Sequence, residues 1–463
     1  MSLVKRVVFL SDFVASAEGI LRSGNKIDAL HNMSNKEQIS VPQATRTRRV
    51  WLRVGTLIDG ENNQPLRNAH FVYDSASIVH VGDEKNPPPR SIISPGQSQP
   101  DLDLPEFTLL PGLVEAHAHL FLEGGELDPE KRAAGLRQPH AKLLETAGGR
   151  LERLILLGVV GVRDAGDKMG VGLSLSKFYS IAGRPLMPYI DSPGAAINHR
   201  GEYGSFMAEP VEDFRSPREC VDSRISEGAD RIKLIVSDVI DFRSGRVSRE
   251  PQMTADEVKE FTTIAREFNK QTFAHATGDR GIENAVDGGV DSVEHGFFIR
   301  DDQLVRMRDL HIAWVPTFSP VQKQIDFADR IGWDDKTISN LRKILDQHSS
   351  SLLKANMLGV PIIAGSDAGA LGVPHGFGLL DELCLMEDAG LSCLQVLRCA
   401  TGNSSHRLGF KEHFGLIKPG YRSRFILTRH SPLGGVSNLR KEKYVIFDGD
   451  MHNSSEPINP EGL

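Results

Sequence analysis

The chain has 463 residues, of which 54 are basic and 61 acidic, and its formal net charge is −7. This mild acidity lacks the concentrated basic patch of nucleic-acid-binding proteins, and no apolar stretch approaches the roughly 20 residues that cross a bilayer. The length fits a large domain with a smaller module. From the charge and the hydropathy we expect neither nucleic acid nor membrane as a partner.

Residues 1–49 are polar and irregular after a short apolar segment, and we expect an N-terminal extension of unassigned structure. The apolar run at 7–10 is interrupted almost at once by Asp12, so it lacks the apolar core of a signal peptide. The cysteines form no Cys-x-x-Cys pair, which is typical of free thiols in a reducing compartment. We therefore predict a cytoplasmic location.

Short strand-like runs at both ends of the chain predict a small β module. A proline-rich loop at 86–90 interrupts the first group, because consecutive prolines cannot support a sheet ladder. We expect residues 50–107 and 410–463 to combine into one composite β-sandwich. The predicted strands are Val50–Val54, His70–Tyr73, Ile78–Val81, Arg424–Thr428 and Tyr444–Phe447.

Between these ends, strand-like runs alternate with helical stretches, which predicts a (β/α)₈ TIM barrel over residues 108–409. The helix at Thr254–Asn269 opens with a capping-box pattern, and the helix at Asp335–Leu358 is followed by Gly359. A doubly wound open sheet is the competing architecture. The predicted barrel strands are Thr108–Leu110, Val159–Arg163, Met187–Asp191, Arg231–Val236, Thr272–Ala274, Ser292–Glu294, Ile312–Pro316 and Val360–Ala364.

Potential metal ligands lie in or just beyond several of these strands. His117 and His119 are two residues apart, so a strand projects them to the same face, and imidazole is a common zinc ligand. His275 and His295 each close a strand-like run, and Asp367 follows the last strand among small residues. The alternative for each histidine taken alone is a structural hydrogen-bonding role.

Lys233 lies in the apolar segment Asp-Arg-Ile-Lys-Leu-Ile-Val. An uncharged lysine buried there can react with carbon dioxide to give a carbamate, whose oxygens can bridge two metal ions. The alternative is a lysine whose ammonium group extends to water or pairs with a carboxylate. Its position between the two groups of histidines favours the bridging ligand.

The loop after the third predicted strand should border the substrate. His199, Arg200 and Tyr203 in this loop are predicted to recognise a carboxylate or an amide, since arginine presents a planar fork to carboxylates. An ordinary polar surface loop is the alternative. His375, just after the last predicted strand, is a further predicted substrate contact, or else a residue at the entry of a helix.

The whole pattern resembles the amidohydrolase superfamily, in particular its imidazolonepropionase-like and Xaa-Pro-dipeptidase-like branch. The resemblance implies a barrel with a terminal β-sandwich, with zinc as the favoured ion. It implies one metal on His117, His119 and Asp367, a second on His275 and His295, and carboxylated Lys233 between them. The motifs that carry it are Gly55–Gly60, Leu110–His119, Ser292–Gly296, Gly365–Gly369 and Ala400–Asn403.

The resemblance implies a binuclear hydrolase in which metal-activated water cleaves a C–N bond of an amide, peptide or urea-like substrate. A dipeptidase or an N-acyl amino-acid hydrolase is the nearest concrete form, with Asp367 moving the proton to the leaving nitrogen. A mononuclear metal-dependent deaminase or cyclic-amide hydrolase is one alternative, and a non-catalytic assembly module is another. A homo-oligomer is compatible with each of these functions.

Overall fold

The computed structural model describes residues 39–180 and 186–453, so most of the predicted N-terminal extension lies outside the described residues. Residues 39–49 form no helix or strand, and Ala44 donates a backbone hydrogen bond to Gly449 near the other end of the chain. Among the described residues, no helix is both long enough and apolar enough to cross a membrane.

The described residues form sixteen strands and thirteen α-helices. In chain order, strands β1 to β16 are Val50–Leu57, Leu66–Tyr73, Ile78–Gly82, Leu102–Pro111, Leu113–Ala118, Val159–Asp164, Tyr189–Asp191, Ala196–Asn198, Ala208–Pro210, Ile232–Ile235, Thr272–Ala276, Ser292–His295, Ala313–Val315, Arg424–Thr428, Tyr444–Phe447 and Asp450–Asn453. The α-helices are Pro129–Leu136, His140–Leu156, Val171–Tyr179, Pro217–Glu227, Ala255–Glu267, Asp279–Asp287, Asp301–Asp309, Ser319–Asp326, Ala328–Ile331, Asp335–Leu358, Phe377–Asp388, Cys393–Cys399 and Gly402–Leu408.

One seven-stranded sheet joins the two ends of the chain, with strand order β16-β15-β14-β4-β1-β2-β3. At its centre Leu109 of β4 lies opposite Leu57 of β1 on one side and Leu427 of β14 on the other. These leucines are fully or almost fully buried, because alternate side chains of each strand face one hydrophobic cluster. The predicted pairing of the two chain ends is confirmed, whereas a second sheet that would complete a sandwich stays a prediction.

The prediction that Thr108–Leu110 leads directly to the two histidines is wrong. That segment belongs to β4 of the seven-stranded sheet, and a separate strand, β5, carries His117. The chain changes sheets at Gly112, whose N–H donates to Arg424 of β14. A Cβ atom at position 112 would lie 2.3 Å from the Val160 side chain, so the close approach of the two layers requires glycine.

The remaining strands form two parallel sheets, β5-β6-β7 and β13-β12-β11-β10-β8-β9. Helices alternate with their strands, so the chain has an α/β architecture with mixed sheets. The eighth predicted strand, Val360–Ala364, makes only an isolated bridge between Ile362 and Trp314. Pro361 lacks an N–H group, which limits the ladder at this point.

The structure confirms six of the predicted parallel strands within about two residues of their predicted ends, which are β6, β7, β10, β11, β12 and β13. It also confirms the two helices with clear end signals. Thr254 and Glu257 form both hydrogen bonds of the capping box, and Gly359 ends the helix Asp335–Leu358 with a φ of 83°.

Candidate metal centre

The six predicted ligands line one cavity of about 470 Å³. Four parallel strands contribute to it, three of them near or just beyond their carboxyl ends, where such strands deliver side chains to a common edge, whereas Lys233 is the second residue of its strand. These strands are β5, β10, β11 and β12, and the segment after Ala364 supplies the sixth residue. The cavity-lining ligands are His117, His119, Lys233, His275, His295 and Asp367.

Three of these side chains converge closely enough to hold one ion. Oδ1 of Asp367 lies 3.4 Å from Nε2 of His119 and 3.7 Å from Nε2 of His117. Tetrahedral ligands bound at about 2.0–2.1 Å are separated by roughly 3.3 Å. The separations in the structure therefore fit a divalent ion between His117, His119 and Asp367 with little rearrangement.

A second group of nitrogen atoms faces the same space from β10, β11 and β12. The ring centroids of His275 and His295 are 4.6 Å apart, and the His117 ring lies 5.0 Å from His295. Nε2 of His275 and Nζ of Lys233 are buried without a hydrogen-bond partner among the described residues. Buried polar atoms nearly always have a partner, so the chemistry of these two atoms fits the coordination of a metal ion.

A buried carboxylate on β12 orients His117 from behind. Oε2 of Glu294 lies 2.5 Å from Nδ1 of His117, and it also accepts a hydrogen bond from Nη2 of Arg163 at 2.7 Å. The Ser292 hydroxyl donates to the other carboxylate oxygen at 2.6 Å. This arrangement places the proton of His117 on Nδ1 and leaves Nε2 free to bind a metal, as carboxylates behind metal-bound histidines commonly do.

A second buried carboxylate, Glu115, connects β5 to the segment after Ala364, and both carry predicted ligands. It accepts hydrogen bonds from the backbone N–H groups of His117 at 3.0 Å and Ser366 at 2.9 Å, and from the Ser366 hydroxyl at 2.5 Å. Sequence reasoning missed both Glu115 and Glu294. The available signal was an acidic residue within a buried strand, two positions before His117 in one case and one position before His295 in the other.

Burial controls the protonation of the cluster. It lowers the pKa of His119 and His275 to about 3 and that of His117 well below its usual value, so these imidazoles are neutral and their lone pairs are available. Burial also lowers the pKa of Lys233 to about 8, although Glu294 opposes this shift. It raises the pKa of Asp367 to about 7, against the opposing charge of Lys233.

The backbone is strained at two of the ligands. His295 has a φ of 65° and Asp367 a φ of 56°, in the left-handed region that costs energy for residues other than glycine. Such strain persists only where surrounding contacts impose it, and it concentrates at functional sites. Here Trp314 Nε1 donates to the carbonyl of His295 at 2.9 Å, and the N–H of Asp367 donates to the carbonyl of His117 at 2.8 Å.

The predicted substrate contacts divide into one residue in the cavity and three outside its lining. Tyr203 lines the cavity, with its ring centroid 5.1 Å from that of His275. His199 pairs with Glu212 and Glu257, and the largely exposed Arg200 pairs with Asp213. Neither lines the cavity, because local carboxylates engage both side chains.

His375 does not line the cavity either, since its Nε2 lies 3.0 Å from the carbonyl oxygen of Leu122. The cavity wall away from the ligands is mainly apolar. Sequence reasoning did not identify this wall, because loops that are distant in the chain supply it. It includes Leu136, Phe206, Ile240, Phe242, Phe297 and Leu371.

Comparisons with known proteins identify the family of this chain. The model of the amidohydrolase family matches residues 108–451. An ochratoxinase from Aspergillus niger is 25% identical over 446 residues, covering 88% of this chain and 87% of that protein. The chain also resembles the crystal structure of an Xaa-Pro dipeptidase with methionine bound in its active site, at 25% identity and a TM-score of 0.71. That alignment covers 88% of this chain and 100% of the dipeptidase.

The crystal structure of the Aspergillus niger ochratoxinase has the same fold, with a TM-score of 0.72 at 22% identity, over 90% of this chain and 98% of that one. The family match covers most of the sequence and includes all six cavity ligands. The chain therefore belongs to the amidohydrolase family and is a hydrolase that acts on carbon–nitrogen bonds.

Proposed function

We propose that the protein is a binuclear metal-dependent hydrolase that cleaves the amide bond of an N-acyl amino acid or a dipeptide. The observation that carries the proposal is the convergence of His117, His119 and Asp367 beside two buried nitrogen atoms that lack partners among the described residues. His275 and His295 would hold the second ion. Zinc suits this mixed set of nitrogen and oxygen ligands.

Lys233 is proposed to bridge the two ions as a carbamate. Its lowered pKa makes the neutral amine accessible near neutral pH. The ammonium group first loses one proton to give the neutral amine, whose nitrogen then forms a bond to the carbon of carbon dioxide and releases a second proton, so that a buried cation becomes an anionic oxygen ligand. This change explains how a lysine can be buried among histidines without a hydrogen-bond partner in the described part of the chain.

When bound, the metal ions would lower the pKa of a water molecule and polarise the scissile carbonyl group. The carboxylate of Asp367 is proposed to accept a proton from the attacking water and to deliver it to the leaving nitrogen. The carboxylate lines the cavity beside the histidine nitrogen atoms, which places it within reach of both groups. Tyr203 is proposed to contact the substrate amide from the cavity wall beside His275.

We also propose that the two parallel sheets close into one (β/α)₈ barrel, with residues 50–107 and 410–463 as the separate β module. Backbone hydrogen bonds support closure on both sides of the segment after Gly359. Trp314 of β13 donates to Pro361 at 2.8 Å, and Ala116 of β5 donates to Ala364 at 3.0 Å. At the other junction, Asp230 donates to Ser192 at 2.8 Å.

A mononuclear deaminase or cyclic-amide hydrolase is the second candidate. It is favoured by the close approach of His117, His119 and Asp367 alone, whose ligand atoms all lie within 4.8 Å of one another. The role of Lys233 separates the two candidates, because a bridging carbamate serves two ions and is not needed for one.

Metal counting on protein purified with zinc and bicarbonate tests the proposal. We expect two ions per chain in the native protein and fewer in a Lys233→Met variant. One tightly bound ion that is unaffected by this substitution would contradict the binuclear site. A substrate panel of dipeptides, N-acyl amino acids, phenylureas and lactams then identifies the bond that is cleaved.

Two histidine substitutions, one in the cavity and one outside it, give a test variant and its matched control. His275→Asn should remove metal and turnover while the far-UV circular dichroism spectrum is retained. The exposed His311 lies outside the cavity, and His311→Asn should leave metal content and turnover unchanged. Equal turnover in the two variants would contradict the catalytic role of the centre and would favour a non-catalytic assembly module.

A further inference from the structure

One cationic side chain faces the cavity without a carboxylate partner among the described residues. Arg132, on the helix Pro129–Leu136, lines the cavity together with the metal ligands. Its guanidinium group donates only to backbone carbonyl oxygens, which belong to Glu123, Glu126 and Gly369; the Gly369 contact is 2.8 Å. Within residues 39–180 and 186–453, it forms no ion pair with an Asp or Glu side chain.

The positive charge of the half-buried Arg132 guanidinium group is only partly balanced, because all of its hydrogen-bond partners are neutral carbonyl groups. Burial lowers the pKa of Arg132, and the carboxylates of Glu123, Glu126 and Asp367 oppose this shift only from a distance. Arginine has five N–H donors, and Nε of Arg132 donates to no described residue. The side chain therefore retains donors, including Nε–H, for an anion that enters the cavity.

The position of Arg132 relative to the metal centre limits what that anion can be. The hydrogen bond to Gly369 connects the guanidinium group to the loop that carries Asp367, two residues earlier. Asp367 is the residue proposed to protonate the leaving nitrogen. A substrate anion bound at Arg132 would therefore belong to the leaving amine rather than to the acyl group.

We propose that Arg132 binds the free α-carboxylate of the amino acid released by hydrolysis. The inference rests on the proposed function and assigns to Arg132 the recognition of the free carboxylate that N-acyl amino acids and dipeptides share. The apolar side chains of Phe206, Phe242 and Phe297 in the same cavity suit an apolar or aromatic group on this substrate. A charge-assisted, two-pronged contact gives arginine an advantage over lysine at this position.

A purely structural role for Arg132 predicts a different outcome. If its hydrogen bonds only fasten the loop at 123–126 to Gly369, its loss would slow hydrolysis of every substrate equally. If it binds the carboxylate, its loss would slow only substrates that carry one. A pair of substrates that differ only at this group separates the two roles, even if the variant is less stable.

The experiment measures kcat/KM for N-acetyl-L-phenylalanine and N-acetyl-L-phenylalaninamide, or for the fastest substrate of the panel and its α-carboxamide. We expect Arg132→Met to lower kcat/KM for the free acid by about 10- to 100-fold, the usual effect of losing a hydrogen bond to a charged group. The carboxamide should change by less than about 3-fold, and Arg132→Lys should give an intermediate preference. Arg137→Met, at the exposed end of the same helix, is the matched control and should retain the wild-type preference.

An equal loss for acid and carboxamide in Arg132→Met would overturn the inference and leave the hydrolase function intact. Cleavage of phenylureas or lactams alone by the wild-type protein would overturn both the inference and the proposed N-acyl amino-acid or dipeptide substrate, and only metal-dependent hydrolysis would stand. Failure of the wild-type protein to cleave any member of the panel would instead refute the proposed function. These three results are distinguishable in a single set of assays.

Discussion

Substitution of Gly365 tests whether the cavity wall holds His117 rigidly. Gly365 lies between the segment Val360–Ala364 and Asp367, directly beside β5. A Cβ atom at this position would lie 2.7 Å from Cγ1 of Val315, 2.8 Å from the backbone nitrogen of His117 and 2.9 Å from its Cβ atom. Unstrained contacts between carbon atoms are about 3.5–4.0 Å long, so Gly365→Ala requires His117 to move by roughly 0.6 Å.

The surrounding hydrogen bonds resist that movement. The N–H of Asp367 donates to the carbonyl oxygen of His117 at 2.8 Å, and the N–H of Ala116 donates to Ala364 at 3.0 Å. Overpacking of a rigid site destabilises a protein by about 1–3 kcal/mol. Misplacement of a reacting group by about 1 Å can lower the rate about 100-fold. We therefore expect a loss of about 1–3 kcal/mol in stability and of about 10- to 100-fold in kcat/KM.

Urea unfolding followed by circular dichroism and steady-state kinetics on the best substrate measure the two effects. Gly149→Ala is the matched control, because a Cβ atom at this helical position meets nothing within 4 Å. Alanine should stabilise that helix by up to about 1 kcal/mol and leave turnover unchanged. If Gly365→Ala matched the wild-type protein in urea midpoint and turnover, the strand that carries His117 would not be rigid and our reasoning would fail.

Three further predictions concern two buried side chains and the removal of metal. Glu294→Ala leaves Arg163 buried without its partner, so unfolding should require about 3–5 kcal/mol less; a urea-midpoint shift equivalent to under about 1 kcal/mol would contradict this. Burial lowers the pKa of His348 to about 4, while Nε2 contacts Pro316. Stability should thus fall by up to about 3 kcal/mol between about pH 6.5 and 4 as the unfolded chain takes up the proton first, and His348→Phe should flatten this slope in urea titrations. Dialysis against a strong chelator should abolish turnover, and added zinc should restore it; undiminished activity at zero measured metal would exclude a metal-dependent reaction.

Local patterns allowed much of the fold to be predicted. The capping box at Thr254 and the left-handed Gly359 depend on residues within one helical turn, so a short stretch of sequence is enough to identify them. Short β-branched runs likewise indicated most of the parallel strands. The error at Thr108–Leu110 arose because a strand's composition does not show which sheet it joins.

The rim of the cavity was much less predictable. His199 and Arg200 have the chemistry of substrate contacts. In the structure, however, they pair with the carboxylates of Glu212 and Asp213. Arg132 has no motif around it. Its importance depends on a hydrogen bond to Gly369, more than two hundred residues away in the sequence.

The sequence by itself indicated which six side chains line the cavity and their order along the chain, because parallel strands bring residues near their carboxyl ends to one edge. Only the tertiary structure decided how these side chains are held. Glu294 reaches His117 across 177 positions, and Arg163 reaches Glu294 across 131. Such contacts depend on how distant strands pack together, and a local pattern of residues contains no measure of that packing.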